Sequence, residues 1–328
     1  MSFYEGKKIL VTGGSGMIGS HLVEALIKNG ANVRIVEHNN KVSDVFSDDQ
    51  LKKIEVVKGD LSRMEDCAKA VKDMEFVFHL AAVAGGVGKN IANPAKIFTQ
   101  NILMQTQLLE ASRVFGVDRY LFTSSACIYP AFCRLPFKEE DGFKGDPEPS
   151  NVAYSWVKRM GELQCQYYKQ QYGMKTAIVR PFNSYGPRDN FDLETSHVIP
   201  AIIRKAVERQ TPFKVWGSGE PTREFVHAAD IARGMMLALE KYAEADPVNI
   251  ASGREIRIID LVKLILKLSG YENAKIVFEK NRPLGQLKRL GSTEKAKRVL
   301  GFETEISLED GLKQTIEWYK NEMSNRGK

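Results

Sequence analysis

Lys8-Ile9-Leu10-Val11-Thr12-Gly13-Gly14-Ser15-Gly16-Met17-Ile18-Gly19 is the stretch that decides the fold. Lys8 to Thr12 is a short apolar run without polar alternation, the pattern of a parallel strand buried on both faces. From Ser20 to Asn29 the pattern is helical. The glycines between them recur every third residue. Gly13 permits a tight turn, Gly16 lets the backbone approach a pyrophosphate at the helix N-terminus, and Gly19 lets the helix pack close on the strand. Met17 and Ile18, inside the same turn, join that cofactor-binding set. The spacing is G-x-x-G-x-x-G, not the G-x-G-x-x-G of the dehydrogenase fingerprint, so its meaning depends on what surrounds it.

Outward from the turn, strand-like runs at 32–36, 56–61, 76–82 and 119–123 alternate with helical ones, the longest from Pro94 to Gly116. That alternation predicts an α/β fold with a doubly wound parallel sheet. Glu37 closes the second strand. A carboxylate there accepts hydrogen bonds from an adenosine ribose and repels a 2′-phosphate, which predicts NAD, tightly bound, over NADP. Arg34, His38 and Lys41 are the nearby cations that argue the other way. Asp60 and Leu61 end the third strand beside the expected adenine. Leu80, Ala81 and Ala82 end the fourth, where small residues let the backbone run along the cofactor. His79 reads as a satisfied core histidine. The loop Gly85-Gly86-Val87-Gly88-Lys89-Asn90 follows a parallel strand at its C-terminal end, where open α/β sheets bind ligands. Gly86, Val87 and Gly88 are therefore candidate substrate contacts.

The 328 residues, 43% hydrophobic and 27% charged, suffice for one large core and a smaller one. We expect a dinucleotide-binding Rossmann domain over 1–180 with 226–255, and a substrate lobe over 181–225 with 256–328. The net charge is +6, with no run of five Lys/Arg, which suits an anionic small ligand and predicts no nucleic-acid partner. The four cysteines form no Cys-x-x-Cys pair, so neither a metal site nor a disulfide framework is expected, and a reducing cytoplasmic setting fits. A polar N-terminus leading straight into a strand predicts no signal peptide. No apolar stretch reaches the length of a membrane span.

Tyr154 and Lys158 are spaced i, i+4. On a helix both point to one side, one turn apart. An ammonium beside a phenol favours the phenolate, so Tyr154 is expected to act as acid or base near neutral pH. Ser125, at the end of the fifth strand, is placed to hydrogen-bond the same substrate oxygen.

With these residues placed, the chain resembles the extended short-chain dehydrogenase/reductase family, the NAD-dependent nucleotide-sugar epimerases, dehydratases and reductases, over nearly its whole length. The resemblance rests on Gly13, Gly16 and Gly19, Asp60-Leu61, His79-Leu80-Ala81-Ala82, Asn101, Ser125, Tyr154 and Lys158, and Arg180-Pro181-Phe182-Asn183-Ser184-Tyr185-Gly186-Pro187. It implies a catalytic Ser125, Tyr154 and Lys158, a cofactor contact at Asn101 and a substrate contact at Asn183. Ser124 to Pro130 is similar to the plant-type GDP-mannose 3,5-epimerases. Gly186 to Phe191, Ser196 to Ala201 and Val215 to Gly219 are similar to the GDP-fucose synthases. In both groups a cysteine at the position of Cys127 is an acid/base, and in the synthases a histidine at the position of His197 is its partner. The lysine that plays this part in the 3,5-epimerases is missing here. Arg223 matches the family's diphosphate-binding arginine, and Val198, Arg204, Lys214 and Arg289 complete the expected substrate set. Arg282-Pro283-Leu284-Gly285 and Lys288-Arg289 resemble the segment that closes over the nucleotide, with Gly291-Ser292 where relatives carry an aspartate. Two helices, Pro94 to Gly116 and Tyr154 to Gly173, pair across a two-fold in relatives, which implies a homodimer.

The chemistry these residues fit starts from the weak acidity of a sugar C–H. A ketone at C4 acidifies the hydrogens at C3 and C5, and an acid and a base on opposite faces can then invert either centre. Cys127 and His197 are residue types that titrate near neutral pH. The leading expectation is a redox-neutral, NAD-dependent epimerase of a nucleotide sugar, GDP by resemblance, working through a 4-keto intermediate. The alternatives are a GDP-fucose-synthase-like epimerase/reductase using NADPH, a plain 4-epimerase, and a non-catalytic NAD or nucleic-acid binder.

Overall fold

The computed structural model describes residues 2–83, 92–279 and 288–326. Six parallel strands come first: β1 (Lys8–Thr12), β2 (Asn32–Glu37), β3 (Ile54–Lys58), β4 (Phe76–His79), β5 (Arg119–Thr123) and β6 (Lys175–Pro181). The rest are short: β7 (Ser184–Tyr185), β8 (Phe213–Trp216), β9 (Thr222–Glu224), β10 (Val226–His227), β11 (Val248–Ile250), β12 (Glu255–Arg257), β13 (Ile276–Glu279) and β14 (Lys288–Arg289). Seven of them form one sheet in the order β11-β6-β5-β4-β1-β2-β3, every pairing parallel. This is a Rossmann-like, doubly wound α/β sheet, and the order reverses between β1 and β4, where such sheets leave a crevice.

Local chemistry sets these elements. In β1 all residues but Lys8 are buried, because the strand is covered on both faces. Gly13 ends it at φ +69°, a left-handed conformation. A Cβ there would meet Ala81 N at 2.9 Å, so the turn lies directly on the chain leaving β4. A Cβ at Gly19 would drive into the Gly13 carbonyl, which fixes how closely the helix Met17–Lys28 approaches. On one side of the sheet Leu22, Val23 and Leu26 pack with Ile231, Met235 and Leu239 of the helix Ala228–Lys241. On the other, Leu108 and Leu109 of the helix Pro94–Val114 pack with Val71, Tyr120 and Cys165. Each fully buried Leu, Ile, Val or Phe contributes roughly 1.5–3 kcal/mol, so these two faces dominate the fold's stability. Gly161 lets the helix Val152–Tyr172 lie flush on the Phe122 ring, where a Cβ would collide.

A third core joins Ile199 and Ile203 of the helix Val198–Val207 to Phe213, Val215, Leu261, Ile265 and Leu312. In β8 the burial alternates, with Phe213 and Val215 in, Lys214 and Trp216 out. Ala296, Leu300 and Phe302 pack in the first core, not this one. Among the described residues no helix is long and apolar enough to cross a membrane.

The elements differ from the sequence reading mainly at their ends. The fourth strand stops at His79, three residues early: the Leu80 amide makes the last bond to β1, at the Thr12 carbonyl and hydroxyl, and the Ala81 amide turns to the Thr12 hydroxyl alone. The third runs from Ile54 to Lys58, not 56–61, since the Asp60 amide bonds Asp66.

Candidate active site

The C-terminal ends of β1, β4, β5 and β6 place the predicted residues along one edge. The Ser125 hydroxyl accepts the Cys127 amide at 3.1 Å and caps the one-turn 3₁₀ helix Ala126–Ile128, so Ser125 positions Cys127 in addition to its expected role. On the helix Val152–Tyr172, Lys158 Nζ donates to the Thr123 carbonyl at 2.7 Å and lies 5.4 Å from the Tyr154 ring centre. Lys158 is buried and its pKa falls to about 8, by burial first, with the Cys127 and Glu162 charges opposing. Tyr154 is held well above its ordinary value, by burial first and then by the Cys127 charge. Burial thus holds Tyr154 as a neutral phenol, able to donate a proton. Both shifts carry a contribution from Cys127, which brings the thiol into the same site.

Arg289 also reaches Cys127, its Nη1 lying 4.0 Å from Sγ. Arg223 and Arg289 are register partners on β9 and β14. Burial, then the Arg289 charge, lowers Arg223 to about 10, against the Glu148 carboxylate. Two guanidiniums side by side make a strong anion site. Beneath them, the buried Glu224 carboxylate accepts the amides of Ser252 at 2.9 Å, Gly253 at 3.0 Å and Gly291. Asn183 donates to the Glu224 carbonyl at 2.8 Å, so it braces this arrangement. His197 stands at the N-cap position of the helix Val198–Val207 without a side-chain capping bond; it keeps an exposed surface, while the chain crowded around it partly desolvates the ring and lowers its pKa. Val198, next to it, packs partly into the third core.

Two expected substrate contacts are engaged elsewhere. Arg204 binds Glu208 at 2.9 Å and the Phe191 carbonyl at 3.1 Å, lining a cavity of about 360 Å³ with Asp189, Trp318 and Tyr319. Lys214 projects outward toward Glu279 at 3.8 Å. Gly86, Val87 and Gly88, with Arg282 to Gly285, lie outside the described residues. Cys133, the other thiol near the site in sequence, faces a cavity of about 910 Å³ under residues 130–149, and burial pushes it up to about 11, which keeps it a protonated thiol at neutral pH.

The turn fits a dinucleotide. Gly13 and Gly16 leave a side-chain-free cradle, with Gly16 N donating to Gly13 O at 3.0 Å and Met17 and Ile18 opening the helix. Glu37 sits half-buried at the end of β2, one oxygen accepting the Val42 amide at 2.8 Å, the other 3.9 Å from Lys58 Nζ. Asp60 Oδ1 accepts from Ser62, which lowers its pKa and keeps it ionised. Leu61 is buried behind it. Asn101 bonds both the amide and carbonyl of Val83, fixing the chain that leaves Leu80, Ala81 and Ala82. His79 is a core histidine bonded to Thr12 at 2.8 Å, as expected, with burial pushing its pKa down to about 3. Among the described residues no group of His, Cys, Asp or Glu could hold a metal ion.

Sequence reading missed Thr12, which ties the glycine turn to the end of β4, and Glu162. The Glu162 signal was present: Tyr154, Lys158 and Glu162 continue one i, i+4 face.

The profile of the NAD dependent epimerase/dehydratase family matches residues 9–251. A GDP-L-fucose synthase of Sinorhizobium fredii is 34% identical over 331 residues, covering 99% of each chain. An epimerase structure from Methanothermobacter thermautotrophicus superposes with a TM-score of 0.86 at 31% identity, covering 98% of this chain and 94% of that one. A GDP-mannoheptose C4 reductase from Campylobacter jejuni with NADP bound superposes with a TM-score of 0.80 at 26% identity, covering 96% and 98%.

Proposed function

The chain belongs to the NAD dependent epimerase/dehydratase family, and from that premise we propose that it is an epimerase/reductase of a GDP-linked 4-keto-6-deoxy sugar. The observation that carries the reading is Cys127 in the same site as Tyr154 and Lys158. A plain 4-epimerase has no need of a second acid/base, and a mere binder has no need of either. Full-length similarity to a GDP-L-fucose synthase supports the GDP sugar and the net reduction.

Gly13, Gly16, Met17 and Ile18 would hold the pyrophosphate of the nicotinamide dinucleotide, Glu37, Asp60 and Leu61 its adenosine, and Leu80 to Ala82, Tyr154 and Lys158 its nicotinamide half. When bound, it supplies hydride chemistry at C4. Cys127 and His197 exchange protons at C3 and C5, from opposite faces. Ser125 orients the C4 oxygen, and the neutral phenol of Tyr154 gives that oxygen its proton, steadied by the Lys158 ammonium. Arg223 and Arg289 hold the diphosphate.

The redox-neutral epimerase expected first from the sequence becomes the second reading, and Glu37 is what favours it. Its carboxylate opposes a 2′-phosphate, so we expect NADH to bind about tenfold or more tightly than NADPH. Equal affinities in a fluorescence titration would remove that preference.

The test is mass spectrometry of sugar nucleotides incubated in D₂O with NADH, with NADPH, or with no added cofactor. Deuterium at C3 or C5 of a GDP-4-keto-6-deoxy sugar, with consumption of reduced cofactor, is expected. Deuterium entering GDP-mannose without added cofactor would instead establish the second reading. Exchange in neither sugar would sink both.

The exposed Phe98, Leu103, Tyr167 and Tyr172 on the paired helices Pro94–Val114 and Val152–Tyr172 support a homodimer across that face; sedimentation at the mass of one chain would remove it.

A further inference from the structure

We propose that Arg289 is a positioning residue for Cys127, pairing its guanidinium with the thiolate that abstracts the substrate proton. The inference rests on the acid/base role given to Cys127 above and assigns Arg289 a task besides phosphate binding.

The two groups are 162 residues apart in sequence and 4.0 Å apart in space, and each is fixed by its own device. Cys127 is held by the Ser125 hydroxyl on its amide. Arg289 lies on β14, which runs parallel to β9 with Lys288 opposite Thr222 and Arg289 opposite Arg223. The residues just beyond are strapped to the first lobe: Phe137 N donates to Leu290 O at 2.8 Å, and Ser292 N to Phe137 O at 2.9 Å. Gly291 N donates to the buried Glu224 carboxylate. The guanidinium is therefore delivered to Cys127 by a segment anchored on both sides, which is the condition for a group that must be in place before substrate arrives.

The chemistry needs such a group. The thiolate, not the thiol, is the base, and a guanidinium at this distance is its counter-ion. In the step it serves, a C–H bond beside the C4 ketone breaks. Its proton forms the S–H bond of Cys127, and the electron pair passes into the enolate on the C4 oxygen. Reprotonation from the other face by a second acid re-forms the C–H bond, and solvent returns the proton from Cys127 to that acid. No electron is gained or lost, and Arg289 transfers no proton. Lysine at this position would keep the charge but lose the planar fork.

The test needs no sugar. In the protein as purified, the rate of Cys127 alkylation by iodoacetamide at pH 7, read by peptide mass spectrometry, should fall about 5- to 10-fold in Arg289→Gln, because the reagent attacks the thiolate. Arg289→Lys should stay within about twofold of the parent, since the charge remains. That charge-dependent rescue separates pairing from a structural role. Alkylation of Arg289→Gln at the parent rate or faster would overturn the inference, and so would a failure of Arg289→Lys, folded by circular dichroism, to restore it. The slowed alkylation without deuterium exchange in any sugar nucleotide would overturn the proposed reaction and leave the Arg289–Cys127 pair standing.

Discussion

Tyr154→Phe is expected to lower kcat for the GDP-4-keto-6-deoxy sugar about 1,000-fold with little change in KM, since a positioned acid contributes roughly 10²–10⁴-fold. The ring contacts survive the substitution, and only the phenolic proton is lost. That proton is present throughout the physiological range because burial holds the phenol protonated. Lys158 sets the pH dependence. Its ammonium is charged below about pH 8 and lost above it, so the parent's rate should decline as pH rises past 8. The same shift acts on stability with a definite sign. The folded pKa lies below the ordinary lysine value of 10.5, so the folded state binds fewer protons between the two values. The cost of burying the ammonium is fully present below pH 8, and stability gains from its relief as pH rises from about 8 toward 10.5. Steady-state rates from pH 6 to 10 for the parent, Tyr154→Phe and Lys158→Met decide the matter. A Tyr154→Phe enzyme within tenfold of the parent would mean another group gives the C4 oxygen its proton.

Glu162→Ala is expected to destabilise the fold by about 3–5 kcal/mol, as is Arg180→Ala, because each leaves an uncompensated charge in the interior. Arg180 Nη2 and Nε bind the two Glu162 oxygens at 2.7 and 2.9 Å, with both side chains at most 1% exposed. The Ser124 hydroxyl donates to the same carboxylate. Arg180 Nη1 donates to the Tyr129 hydroxyl at 2.9 Å and to the Glu139 carbonyl at 2.8 Å, and Tyr129 donates to Asn249 at 2.6 Å. This network ties β5, β6, β11 and the Val152–Tyr172 helix together directly beneath the Ser125–Cys127 turn. The paired replacement Glu162→Leu with Arg180→Met should cost less than the sum of the single changes, since it removes both charges at once. Urea unfolding of the singles and the double measures this. A single-variant loss below about 1 kcal/mol would mean that water reaches the orphaned charge.

The element types were legible in the sequence because their signals are local. Lys8 to Gly19 carries its strand, its left-handed glycine and its helix start within twelve residues, and the alternation that follows prescribes a doubly wound sheet. Strand ends were less legible, since a chain leaves a ladder where a side chain takes its amide, as the Thr12 hydroxyl takes that of Ala81. Arg204 shows the same limit: its place on the Val198–Val207 helix is a local property, but its pairing with Glu208 and Phe191 depends on which side of that helix packs.

By itself, then, the sequence determined the sheet, the glycine cradle, the Glu37 carboxylate at the end of β2, and the helical face carrying Tyr154 and Lys158. Only the tertiary structure decided the protonation of Tyr154, the burial of Glu162 on Arg180, and the approach of Arg289 to Cys127. The division is physical: turn chemistry and periodicity act over a few residues, whereas desolvation and the meeting of groups 162 residues apart exist only once the chain has closed around them.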